Sequence, residues 1–258
     1  MFSPNIQPPS SLLLLTELGR GILNLGTYFA TFPLMNLTAR GDGHPVLVLP
    51  GFLTSDGATL PMRYFLERRN YKAQPWLLGR NMINYEALEK QLSTMLKNLA
   101  DEHGGKVSIV GWSAGGVFAR AIAHTMPEYV RQVITLGSPF RGVEGRSNLE
   151  FMMEWVTGKD ISEIDKVILE RASTPPPVPS TAIYTCFDGI VNWQTCKDAE
   201  EDHNTENVEV FASHVGLGVD PMTLVCIADR LAQPEGAWKP FKNTVVGKTF
   251  YSYPWHTK

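Results

Sequence analysis

The segment Lys106-Val-Ser-Ile-Val-Gly-Trp-Ser-Ala-Gly-Gly-Val-Phe-Ala-Arg-Ala-Ile-Ala-His124 decides how the rest of the chain is read. Residues 106–111 form a short apolar run with the pattern of a strand, and 114–126 read as a helix closed by Pro127. Between them, Gly111-Trp112-Ser113-Ala114-Gly115 fits G-x-S-x-G. As a strand-to-helix turn this pattern forms a nucleophile elbow: the flanking glycines admit a strained backbone, and the serine Oγ projects above the sheet edge. The helix starting at Ala114 aims free N–H groups and its positive dipole end at the same point. The alternative is a glycine-rich tight turn with an incidental serine.

Outward from this segment, apolar runs alternate with amphipathic stretches, the signature of βαβ units and a mostly parallel sheet flanked by helices. Strands are predicted over residues 45–50, 72–78, 106–111, 130–136, 181–186 and 207–211. Helices are predicted over 60–69, 84–103 and 114–126, and from the cap pair Asp220-Pro221 to about Gln233. In the second helix, Leu88, Leu92, Met95, Leu96 and Leu99 share one face. The expected organisation is an N-terminal apolar helical segment over 1–43 packed on the domain, a core of 44–140 and 180–235, an insertion over 141–179, and a tail over 236–258 without clear pattern. Within the insertion, Leu149, Met152, Met153 and Val156 make one apolar stripe, and Ile164, Val167 and Ile168 a second after Ser162. About 40 residues between two core strands far exceeds the roughly 2–6 usual in such connections, so a helical lid over Ser113 is expected. Trp112, Met152, Met153 and Trp155 are candidate substrate contacts.

A serine hydroxyl is a weak nucleophile and needs a base, which in turn needs a group to fix its tautomer. For a serine on such an elbow, the acid and then the histidine follow in chain order. His214, in Phe-Ala-Ser-His-Val-Gly just past a strand, is favoured over His203 in the acidic stretch DAEEDHNTEN and His256 in the tail. Asp188, two residues past the strand TAIYTC and before Gly189, is the favoured acid. Asp198, Glu200, Glu201 and Asp202 read as a solvated acidic turn. An oxyanion hole needs two backbone N–H groups. Ala114 supplies one, and Phe52, after the first strand and Gly51, the other, with Leu53 as the fallback.

From about His44 to Gln233, the segments LPGF, GWSAGG, TLGSPFRG, FDGIVNW and SHVGLG resemble those of bacterial α/β-hydrolases of the lipase and carboxylesterase type, including the acetyltransferase-and-hydrolase group. The resemblance implies the α/β-hydrolase fold, a Thr135–Pro139 segment bordering the active site and a lid after it. LPGF stands where many lipases carry His-Gly, which argues against true long-chain lipase activity. The expected function is carboxylic ester hydrolysis through an acyl-enzyme on Ser113, with His214 and Asp188. The rivals are an acyltransferase or thioesterase using the same residues, a cofactor-free haloperoxidase-like activity, and a catalytically dead binding protein.

With 258 residues, 43% hydrophobic and 19% charged, the chain has the make-up of one water-facing α/β domain. Its 23 basic and 26 acidic residues leave a net charge of −3, without long runs of like charge, which disfavours a nucleic-acid partner. Cys186, Cys196 and Cys226 have neither CxxC nor zinc-ligand spacing, so no metal and no cofactor are expected, although Cys186 and Cys196 remain candidates for a bridge. The apolar stretch from Ser11 to Leu18 has no preceding basic residue and is interrupted by Glu17, a poor signal peptide. A cytoplasmic location follows as the expectation, with membrane contact at most peripheral and a small ester or lipid-like molecule as the partner.

Overall fold

A computed structural model describes residues 8–82, 85–142 and 166–251. Six strands form one sheet: β1 (Pro45–Leu49), β2 (Lys72–Pro75), β3 (Val107–Trp112), β4 (Val130–Leu136), β5 (Ser180–Tyr184) and β6 (Thr205–Glu209). Their order is β2-β1-β3-β4-β5-β6, and every neighbouring pair is parallel. A parallel sheet must be covered on both faces. Accordingly, alternate residues of one strand serve opposite layers. Val46 and Val48 of β1, with Val110 of β3 and Ile134 of β4, join one buried cluster, while Leu47, Leu49, Ile109 and Val133 join the other.

The first layer is built by α1 (Ser11–Met35), α2 (Asp56–Arg68) and, in part, a helix over Pro221–Leu231; the second by α3 (Tyr85–His103), α4 (Ala114–Thr125) and α5 (Lys166–Ser173). The helix over Pro221–Leu231, α6, starts as its sequence signal requires: Asp220 accepts the N–H of Thr223 at 2.9 Å, and Pro221 occupies the first turn. Helix α2 begins four residues before the predicted Leu60. Asp56 there accepts the N–H groups of Trp76 and Leu77, fastening the helix to the end of β2. The tail holds a further helix, α7 (Val245–Tyr251), where the sequence pattern suggested none.

Helix α1 lies against α6 and α2, with Tyr28 and Met35 buried and the Tyr28 hydroxyl donating to the Pro61 carbonyl at 3.0 Å. Its outer face exposes Leu12, Leu15, Leu18, Ile22, Phe29 and Leu34. Among the described residues, no helix is long and apolar enough to cross a membrane. Of the expected lid, α5 packs Ile168 and Ala172 into the core beside Phe118 and Ile122 of α4. Leu149, Met152, Met153, Trp155, Val156, Ser162 and Ile164 lie outside the described residues.

The acidic stretch requires a correction. Asp198 is buried, not solvated: its carboxylate meets the equally buried Arg120 of α4 at 2.6 and 3.1 Å, while Glu200, Glu201 and Asp202 are exposed. A guanidinium in the core is tolerable only with such a partner. The three cysteines are free, so Cys186 and Cys196 do not bridge.

Candidate active site

In an open parallel sheet, the crevice forms where consecutive strands run to opposite sides, outside their carboxyl ends. Here β1 is followed by β2 on one side and β3 on the other, so the turns after β1 and β3 flank that point. Ser113 occupies the turn after β3 with φ 52° and ψ −121°, a backbone that residues bearing a side chain rarely adopt. The serine itself carries this conformation. The flanking glycines answer a different need, close approach. A Cβ on Gly111 would lie 2.4 Å from Gly116 Cα, and one on Gly115 would lie 2.5 Å from the Leu49 carbonyl oxygen.

The Ser113 N–H donates to the Leu136 carbonyl at the end of β4, at 2.8 Å. The next residue, Gly137, has φ +52°, and a Cβ on it would stand 3.1 Å from His214 Nδ1 and 3.4 Å from Asp188 Oδ2. Thus the ends of β3 and β4 gather Ser113 and the His214–Asp188 pair at one edge of the sheet. The pair is close: His214 Nδ1 lies 2.6 Å from Asp188 Oδ2. The other carboxylate oxygen of Asp188 accepts the N–H groups of Ile190 and Val191, both at 2.8 Å, which fixes its orientation. Ser113, Asp188 and His214 are 4%, 2% and 5% exposed. Burial opposes a charge on His214, but the Asp188 carboxylate, by its charge and hydrogen bond, together with Glu17, raises the imidazole above the ordinary histidine value. Trp112 donates its indole N–H to the His214 carbonyl at 3.2 Å, tying the histidine loop to the residue before Ser113.

After β1, the Leu53 N–H is taken by the Asn81 carbonyl at 2.8 Å, which removes the fallback oxyanion donor. Among the described residues, the N–H groups of Phe52 and Ala114 have no protein acceptor. Asn81, which carries no sequence signal, staples this turn. Its amide donates to the Pro50 carbonyl at 2.8 Å and its N–H to the Thr54 carbonyl at 2.9 Å. His203 is exposed, and His256 lies outside the described residues. Among the described residues, no group of His, Cys, Asp and Glu side chains is placed to hold a metal ion.

A hydrogen-bonded Ser–His–Asp chain lies at the opposite edge of the sheet and is instructive by contrast. His44 Nε2 sits 2.8 Å from Ser108 Oγ, and its Nδ1 2.5 Å from Asp42 Oδ1. Yet Ser108 is 0% exposed, inside a strand ladder between Val46 and Gln132. Burial lowers the His44 pKa in spite of Asp42, the reverse of His214. Three residue types within hydrogen-bond reach do not make a reactive serine; a turn that frees its oxygen is also needed.

Solved structures share this architecture. Lipase B of Aspergillus fumigatus superposes with a TM-score of 0.57 at 16% identity, over 76% of this chain and 54% of that one. A lipase of Bacillus licheniformis in its mature form gives 0.55 at 14%, over 76% and 95%. A lipase-esterase related protein of Clostridium acetobutylicum gives 0.55 at 12%, over 75% and 97%. The chain has the α/β-hydrolase fold. Within that fold, residues 78–177 match the family model of palmitoyl protein thioesterases, a stretch that holds the turn at Ser113 and ends before Asp188 and His214. Comparison of the sequence with curated proteins gives no significant match.

Proposed function

We propose that this hydrolase-fold protein cleaves carboxylic esters of small or lipid-like acyl groups, with Ser113 as nucleophile, His214 as base and Asp188 as the group that orients it. The observation that carries the reading is the buried 2.6 Å contact between His214 Nδ1 and Asp188, set beside the strained turn of Ser113. With Nδ1 engaged by the carboxylate, Nε2 is the basic nitrogen. In the first half-reaction His214 Nε2 takes the Ser113 hydroxyl proton as Oγ bonds to the carbonyl carbon. The N–H groups of Phe52 and Ala114 receive the oxyanion. The carbon–oxygen bond to the leaving alkoxide then breaks, and the alkoxide takes the proton from His214. Water repeats the sequence on the acyl-enzyme, releasing the acid and restoring Ser113.

A thioester in place of the oxygen ester is the second reading, favoured by the match of residues 78–177 to the thioesterase family model. The acyl-enzyme is common to both, and only the leaving group differs.

The test is labelling of the full chain by a fluorophosphonate, with and without Ser113→Ala, followed by turnover of p-nitrophenyl esters and acyl-CoA thioesters of graded length. Wild type should label and the variant should not, with turnover reduced on the order of 10⁴-fold or more. A variant that keeps a tenth of wild-type turnover excludes Ser113 as nucleophile. Faster cleavage of the thioester series assigns the second reading.

A further inference from the structure

Glu17 is a buried carboxylate, 4% exposed, on a helix that is otherwise mostly apolar. Its Oε1 accepts the N–H of Gly189 at 2.7 Å and of His214 at 3.3 Å, and its Oε2 the N–H of Val215 at 3.3 Å. One turn on, Arg20 pairs with Glu17 at 3.0 Å and donates to the Phe187 carbonyl at 2.7 Å. Asn24 Oδ1 then accepts from the N–H of Ser213 at 3.3 Å and from its hydroxyl at 3.1 Å. Positions 17, 20 and 24 share one face of α1, and they bind the residues on either side of Asp188 and of His214. The approach is close enough to require glycine in both loops. A Cβ on Gly189 would come 2.5 Å from the Leu13 backbone, and one on Gly216 2.1 Å from Asn24 Oδ1.

Taking a carboxylate out of water costs several kcal/mol, and an apolar side chain would pack α1 at least as well. What a carboxylate adds is two acceptor oxygens that bind amides of two separate loops at once. We propose that Glu17 is a positioning residue for the acyl-transfer reaction: it fastens the Asp188 loop to the His214 loop and thereby sets the distance between acid and base. The inference rests on the triad reading above. Among the described residues, the charged groups that bear on His214 are Asp188 on the loop after β5 and Glu17 on α1, the latter paired with Arg20. Glu17 therefore also favours the imidazolium that forms when Ser113 loses its proton.

The experiment compares wild type, Glu17→Gln and Ser113→Ala as full chains on p-nitrophenyl butyrate. Thermal melts establish folding, and kcat, KM and the pH profile of kcat/KM are measured. Because a misplacement of about 1 Å costs on the order of 10²-fold, Glu17→Gln should lower kcat at least about ten-fold with KM nearly unchanged. His214 acts when neutral, so loss of the neighbouring negative charge should move the acid limb to lower pH. A folded Glu17→Gln protein with wild-type kcat and an unmoved limb overturns the proposal, as does a lower melting temperature alone. Should Glu17→Gln not fold, Arg20→Met, at a partly exposed position, leaves the carboxylate without its counter-charge. Its acid limb should then move to higher pH, and an unmoved limb is equally fatal. Activity surviving in Ser113→Ala overturns the triad reading itself, whereas an inert Ser113→Ala beside a normal Glu17→Gln overturns only the role of Glu17.

Discussion

Replacing Ser113 by glycine and, separately, by alanine isolates the conformational energy held in the turn. Both variants lack the hydroxyl, so their difference in stability reports the backbone. At φ 52° and ψ −121°, a residue with a Cβ carries about 1–3 kcal/mol of strain, which glycine relieves. Against this, glycine loses about 0.5–1 kcal/mol through the freedom of its unfolded chain, and about 0.8 kcal/mol through the missing buried methyl. The midpoints leave glycine ahead by about half a kcal/mol, whereas at an ordinary position these last two costs leave it behind by about 1.5 kcal/mol. The swing of about 2 kcal/mol corresponds to roughly 4–8 °C in melting temperature for a chain of this size. Urea denaturation and thermal melts of the two purified variants measure it. A glycine variant less stable than the alanine one by more than about 1 kcal/mol refutes the claim that Ser113 is held under strain.

Gly137→Ala should place a methyl 2.7 Å from Leu217 Cδ1 and 3.1 Å from His214 Nδ1 at a positive φ. A loss of about 1–2 kcal/mol in stability and roughly a 10- to 100-fold fall in kcat are expected; turnover within twofold of wild type contradicts the packing described. Asp198→Ala should destabilise the fold by about 3–5 kcal/mol in a denaturant titration, because the buried Arg120 is left without a counter-charge. The double change Arg120→Met, Asp198→Leu should recover most of that loss, and failure to do so would show that the pair does more than neutralise charge.

The parts of the fold legible in the sequence were those decided by local pattern. The run at β1, PVLVL, is apolar without interruption because both faces of the sheet are covered, and α6 announced itself through Asp220 and Pro221. Ser113, Asp188 and His214 were singled out by strand context and chain order, and of the three the structure joins Asp188 and His214 by direct contact. What escaped were effects of long-range partners. Asp198 looked solvated among three acidic neighbours, and the arginine that buries it lies 78 positions away. Asn81 shapes the turn after β1 from a segment with no motif of its own. Glu17 read only as an interruption of an apolar stretch, since nothing local reveals that a carboxylate faces three amides in two distant loops. The elbow glycines were read as relieving backbone strain, while the structure uses them to let chain segments touch.

Helix α1 imposes an order on assembly. Glu17 and His214 are 197 positions apart; at about 5–20 residues per second of synthesis, roughly 10–40 s pass between the two. For most of that interval the helix has neither the 187–189 nor the 213–215 backbone to bind, and the first of the two follows Glu17 by 172 positions. Its latch to the acid and base loops therefore closes only after β5, β6 and the histidine loop have been made. A nascent chain whose β1 to β4 layers are already collapsed still lacks the contact between Asp188 and His214, so under the proposed mechanism activation of Ser113 is a late event in the life of the polypeptide.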